Sequence, residues 1–148
     1  MTGSRLISLL FLVAGLSNLR AHGLKQIGIT TNGLNIPRHI EHLVASGLTH
    51  LNVSLDTLDP FKFELMTRRP AKGIERVLGG IDAALGAGVA KVKVNVVVVR
   101  GLNDGQDVLD FVEWMKDRNV VVRFIEVRAI ESGQFSCGSL ARFAVHAL

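Results

Sequence analysis

Polar side chains recur at alternate positions in several short stretches: Thr30 and Asn32; Asn52, Ser54 and Asp56; Lys91, Lys93 and Asn95; and Arg123 alone in an apolar run. A spacing of two puts each set on one face of a β-strand, because successive strand side chains point to opposite sides. Hydroxyls and amides can hydrogen-bond to a polar ligand, and lysine and arginine add charge for an anionic one. The residues between them are apolar: Leu51, Val53 and Leu55, then Val92, Val94, Val96 and Val98. One face of each strand is therefore suited to a core. The other either lines a ligand site or faces solvent.

The elements that must position these faces follow one another in a regular order. Gln26 to Thr31 reads as a short strand closed by the turn pair Asn32-Gly33, and Ile36 to Ser46 as a helix with Pro37 in its first turn and Gly47 as its stop. Thr49 to Asp56 is a strand. Asp59-Pro60 opens a short helix to about Met66, and a longer one runs from Gly73 to Leu85, ending at Gly86 and Gly88. The strand beginning at Lys91 has the strongest β signal of the chain; a helix from Asp107 to Lys116 and a last strand from Val120 to Glu126 follow. Strands alternating with helices imply right-handed βαβ crossovers and a parallel α/β sheet of about four units. In a flat doubly wound sheet both faces meet helices and should be apolar. Polar faces repeated on neighbouring parallel strands fit a curved sheet or barrel around a polar ligand, the alternative being an open sheet with one wet face.

Composition narrows the classes. The 148 residues, 48% of them hydrophobic, can bury a sizeable core. A net charge of +4 favours anionic partners, but Tyr is absent, Trp114 is alone and no basic run is interleaved with aromatics, so nucleotide or phosphate is expected and nucleic acid is not. Cys137 is the single cysteine, which excludes an intrachain disulfide and a cysteine-ligated zinc or iron–sulfur site completed by this chain. Neither G-x-G-x-x-G after a strand nor G-x-x-x-x-G-K-[ST] occurs. His39 and His42 lie three apart without a third ligand nearby, and His22, His50 and His146 have no partner that would make a catalytic set, so no catalytic and no metal-binding residue is assigned. Residues 1 to 40 contain no acid, and Arg5 before the apolar run Leu6 to Leu16 imitates a secretory signal. The run is too short to span a membrane, and Leu9 to Ala21 also reads as a helix stopped at His22-Gly23.

The motifs Gly23-Leu24-Lys25-Gln26-Ile27-Gly28-Ile29-Thr30-Thr31-Asn32-Gly33, Asn52-Val53-Ser54-Leu55-Asp56-Thr57-Leu58, Lys93-Val94-Asn95 with Arg100-Gly101-Leu102-Asn103, and Arg123-Phe124-Ile125-Glu126 stand in order and in register. Together they resemble the GTP 3′,8-cyclases of molybdenum-cofactor biosynthesis, radical-SAM enzymes of the MoaA type, over roughly residues 12 to 126. The resemblance implies a partial TIM-type (β/α)6 barrel, open as a half-barrel, in which a [4Fe–4S] cluster reduces S-adenosylmethionine to a 5′-deoxyadenosyl radical that attacks the GTP ribose. It implies that Ser54 binds S-adenosylmethionine, that Thr30 and Lys93 bind GTP, and that Arg123 is a further candidate for GTP contact. It implies a cytoplasmic location in a bacterium or the mitochondrial matrix in a eukaryote, with no nucleic-acid or membrane partner.

The departures are equally specific. The C-x-x-x-C-x-x-C loop that ligates the cluster in the family, and the Gly-Gly-Glu motif after it, do not occur before the first matched strand. Arg128 stands where the family pattern continues toward a methionine, and no C-terminal cysteines for a second cluster follow. The expected organisation is a divergent apolar segment at residues 1–22, a partial barrel at 23–126 and an unmatched tail at 127–148. The chain is expected to be a truncated product, splice variant or gene-model fragment, inactive alone; Val127-Arg128 is what reading through a splice donor encodes. The competing expectations are a non-catalytic nucleotide-binding or regulatory module that associates with an intact cyclase, and a secreted interaction domain. An open half-barrel would leave Lys93, Asp56 and Arg123 without partners. It would also leave the strands at Gln26 to Thr31 and Val120 to Glu126 as free edges inviting self-association, unless the tail covers the second.

Overall fold

The computed structural model describes residues 15, 17, 18, 20–126 and 142–146. The order is β1 (Gly28–Thr31), α1 (Ile36–Ala45), β2 (His50–Ser54), α2 (Pro60–Thr67), α3 (Gly73–Gly86), β3 (Lys91–Val98), α4 (Gln106–Met115), β4 (Val120–Glu126) and β5 (Arg142–His146). Residues 15, 17, 18, 20 and 21 are also helical, in keeping with the Leu9 to Ala21 expectation where it is described. Most of the apolar run Leu6 to Leu16, together with Arg128 and Cys137, lies outside the described residues.

The five strands form one open sheet in the order β1-β2-β3-β4-β5. β1 to β4 are parallel, and β5 is antiparallel to β4. Of the two alternatives for Val120 to Glu126, a free edge or one covered by the tail, the second holds: β5, within the tail, pairs with it from Val121↔His146 to Ile125↔Arg142. A run of valines with unpaired backbone groups is a template for any strand that reaches it, and here a later segment of the same chain does.

The register explains why one face is core. Leu51, Val53, Val92, Val94, Val96, Val120, Val122 and Phe124 are all buried and share one side. Against it pack the apolar stripes of the helices: Ile36, Ile40 and Leu43 of α1, Ile74, Val77, Ile81 and Ala84 of α3, and Phe111 and Met115 of α4. Spacings of three and four bring each stripe to one helix face. Two helices stop by the same device. Gly47 (φ +98) and Gly88 (φ +77) turn left-handed, and Leu48 N and Val89 N then donate to Leu43 O (3.0 Å) and Ala84 O (3.1 Å).

Strand ends differ slightly from the sequence expectation because side chains take over from the ladder. Thr49 Oγ1 accepts from Ile27 N (2.8 Å) and bonds Ile27 O (2.9 Å), so β2 starts one residue later. At its other end Asp56 Oδ1 accepts from Val97 N (2.8 Å), a side-chain bond where the ladder would continue.

Candidate functional site

The face opposite the helices carries the polar sets, and the register brings them together in two adjoining rows. Thr30 pairs with Asn52 and Asn52 with Lys93 in the first. Ser54 pairs with Asn95 and Asn95 with Arg123 in the second, two residues nearer the C-terminal ends of the parallel strands. With strands about 4.8 Å apart and a rise of about 3.3 Å per residue, Thr30, Ser54, Lys93 and Arg123 fall within a patch roughly 14 Å by 7 Å. That is the scale of a nucleoside with its phosphates. Thr30 and Ser54 are exposed, while Lys93 and Arg123 are half-buried. Asn52 Nδ2 lies 3.4 Å from Thr30 Oγ1 and orients that hydroxyl. Lys91 pairs with His50 one step further toward the N-terminal ends and is exposed.

Asp56 departs from expectation. It has a partner, since its carboxylate is turned onto Val97 N. Burial pushes its pKa up from 3.8, and the hydrogen bond from Val97 opposes that only in part. Beside it, the fully buried Asn103 uses Nδ2 to donate to Asp56 O (2.6 Å) and Val97 O (2.9 Å), and its Oδ1 accepts from Val99 N (2.7 Å). This amide joins the C-terminal ends of β2 and β3. Ser54 sits two residues before Asp56, and Asn95 two before Val97, so Asn103 fixes the spacing of the strands that carry the second row.

A second polar lock lies just beyond. Asp107, in the first turn of α4 and 2% exposed, accepts from Thr57 Oγ1 through Oδ1 and from Lys62 Nζ through Oδ2. Burial alone would raise its pKa, but the hydrogen bonds from Lys62 and Thr57 outweigh it and hold the carboxyl below 3.8. The hydrogen bond to Asp107 in turn raises the Lys62 pKa above 10.5. Thr57 Oγ1 also accepts from Asp59 N (3.0 Å), and Asp59 caps α2 by accepting from Lys62 N (2.8 Å). The loop after β2 is thereby tied to α4. Neither lock is assigned a role by the sequence reading, in which Asn103 only closes the Arg100-Gly101-Leu102-Asn103 motif and Asp107 only begins the last helix. The signal that could have found Asn103 is its place in the Arg100-Gly101-Leu102-Asn103 motif.

The same face differs in how it suits the two groups that the resemblance implies. Exposed hydroxyls, two half-buried cations and the buried, unpartnered Asn95 Oδ1 suit the hydroxyls, amines and charged ends of S-adenosylmethionine and GTP. A [4Fe–4S] cluster is not accommodated. The chain offers one thiol against the three that the family motif supplies, and among the described residues no three His, Cys, Asp or Glu side chains gather. Nor, among the described residues, is any helix long and apolar enough to cross a membrane.

Comparison with known proteins identifies a family. The radical SAM superfamily profile matches residues 4–115. The chain is 45% identical over 129 residues, 87% of its length, to a protein of Arabidopsis thaliana named "GTP 3′,8-cyclase, mitochondrial", of which it covers 32%. It is 46% identical over 77% of its length to "Molybdenum cofactor biosynthesis protein 1" of Dictyostelium discoideum, covering 18% of that protein. Against the "GTP 3′,8-cyclase" of Rhodopirellula baltica the identity is 41% over 76% of this chain and 31% of the relative. It thus spans a third or less of each of these relatives. With the parallel α/β sheet, its polar face and these matches in agreement, the chain belongs to the radical SAM superfamily.

Proposed function

We propose that this chain supplies the nucleotide-facing wall of a GTP 3′,8-cyclase in molybdenum-cofactor biosynthesis, and that by itself it does not catalyse the reaction. In this reading Ser54 holds S-adenosylmethionine, while Thr30, Lys93 and Arg123 hold GTP. The observation that carries it is the alignment of these four residues in two adjoining rows on one polar face. The hydroxyls bond ribose oxygens and the cations neutralise phosphates. The radical chemistry that a cluster and S-adenosylmethionine would supply has no ligand set in these residues, so their work is to bind and orient. The name of the Arabidopsis relative supports a mitochondrial location for a eukaryotic chain; a bacterial one is placed in the cytoplasm by this reading alone.

The test is a GTP titration of the purified chain and of its Lys93→Ala and Lys91→Ala variants, followed by isothermal calorimetry or by backbone amide shifts. Lys93→Ala should weaken binding several-fold more than Lys91→Ala, because Lys91 lies one step further from the mouth where βα sheets bind their ligands. Equal losses would mean that bulk charge, not position, binds the nucleotide, and the assignment would fall.

A second reading is favoured by β5. Antiparallel pairing along Val121 to Ile125 occupies the edge on which a barrel would add its next parallel strand. This supports a self-contained nucleotide-binding module that associates with an intact cyclase. Sedimentation of the chain with and without such a cyclase separates the two readings.

A further inference from the structure

We propose that Asn95 is a further ligand-contacting residue, its side-chain oxygen accepting a hydrogen bond from a nucleoside donor, a ribose hydroxyl or an amine. The proposal rests on the reading that the polar face holds S-adenosylmethionine or GTP, and it adds a residue to which no role has been given. Among the described residues Asn95 Oδ1 is the buried side-chain polar atom without a hydrogen-bond partner. Leaving an acceptor unpaired costs on the order of 1–3 kcal/mol, so folded proteins seldom tolerate one without a use for it.

Its position supplies the use. Asn95 is the middle residue of the second row, between Ser54 on β2 and Arg123 on β4, and it follows Lys93 by two on the same face. The backbone there is fixed on both sides of the residue: Leu55 N donates to Asn95 O at 3.1 Å and Val97 N to Asp56 Oδ1 at 2.8 Å. Neither flanking donor, the Ser54 hydroxyl or the Arg123 guanidinium, closes onto the amide oxygen. An acceptor held on rigid backbone, covered from water and satisfied by neither neighbouring donor, is set for a donor that a ligand brings as it displaces the side chains over it. Both nucleosides of the proposed site carry such donors. A phosphate, which only accepts, does not satisfy this atom.

The experiment measures affinity and stability on the same variants. Wild type, Asn95→Leu and Asn95→Ser are titrated separately with GTP and with S-adenosylmethionine at up to millimolar concentrations, followed by NMR, and each is unfolded in urea without ligand. Leucine has the branched outline and heavy-atom count of asparagine and no polar atom, and its bulkier methyl groups point onto the face that no described helix covers. The Asn95→Leu variant should therefore unfold at higher urea than wild type, because it removes an unpaired group, while its affinity for the occupying nucleoside falls about tenfold. Asn95→Ser, which keeps an acceptor, should lose less. The ligand whose affinity falls identifies the source of the donor. If wild type binds and Asn95→Leu binds equally well, the role of Asn95 is overturned while the site stands. If Asn95→Leu is less stable than wild type, Oδ1 has a partner within the protein and the proposal fails. If wild type binds neither nucleoside, the reading of the whole face fails and this inference goes with it.

Discussion

Replacing Asn103 by alanine tests whether the polar face depends on the suture between β2 and β3. The substitution deletes three hydrogen bonds at once and strands Asp56 O, Val97 O and Val99 N. Each stranded group is part-buried, so about 1 kcal/mol apiece is appropriate, at the low end of the cost of an unpaired polar group. The total is about 3 kcal/mol, a large part of the 5–15 kcal/mol by which domains are usually stable. Equilibrium urea unfolding of the full chain reads it as a lower midpoint at unchanged slope. The Asn103→Asp variant sharpens the result. Its carboxylate keeps an acceptor for Val99 N but turns a second oxygen on the two carbonyls that Nδ2 served, so at neutral pH it should be at least as destabilising as alanine. Protonation restores one donor. This variant should therefore regain stability as the medium is made acidic, the sign for an acid whose folded-state pKa is raised. A loss below about 1 kcal/mol for alanine, or an aspartate variant as stable as wild type at neutral pH, would refute the suture.

Three further outcomes follow from the geometry. Gly33→Ala should destabilise by about 2 kcal/mol or more in urea unfolding, since φ there is +81° and a Cβ would stand 2.8 Å from Val77 Cγ1; a neutral substitution would mean that the turn after β1 relaxes freely. Asp107 has a lowered folded-state pKa, so its contribution is present above the ordinary aspartate value of 3.8 and is lost as pH falls through the folded one. Lys62→Met should reduce stability at pH 7 and flatten that acid limb, and an unchanged acid limb would contradict the lock. Anaerobic reconstitution of the chain should yield no [4Fe–4S] cluster, and iron and sulfide bound at cluster stoichiometry would overturn the proposed division of labour.

The fold was legible to the extent that local pattern decides it. Alternation of Leu51, Val53 and Leu55 with Asn52, Ser54 and Asp56 specifies a strand with two unlike faces, and β2 is that strand. Helix stops were legible because Gly47 and Gly88 take a left-handed turn that other residues resist. What local pattern does not contain is where a side chain goes once its backbone leaves the ladder. Asp56 continues the alternation of Asn52 and Ser54, yet it turns onto Val97 N because an N–H at the end of β3 would otherwise lie unpaired. Asn103 and Asp107 are set by partners 47 and 50 residues away, a separation that no periodicity records. The pairing of β4 with β5 is of the same kind: nothing in Arg142–His146 names its partner, and the exposed valine edge selects it.

The two faces of the sheet also constrain one another. An asparagine beside valines on β3 is a poor choice for stability, since a β-branched residue would pack better and leave no unpaired oxygen. Lys93 and Arg123, half-buried on the same side, are dearer still. These costs are borne on the face that, among the described residues, no helix covers, while the opposite face is uninterrupted hydrocarbon from Leu51 to Phe124. Asn103 and Asp107 add rigidity at the C-terminal ends of the strands, where the polar rows lie. A wet face that had merely escaped burial would need neither the locks nor two cations set on neighbouring strands; the nucleoside site proposed across β1 to β4 calls for both.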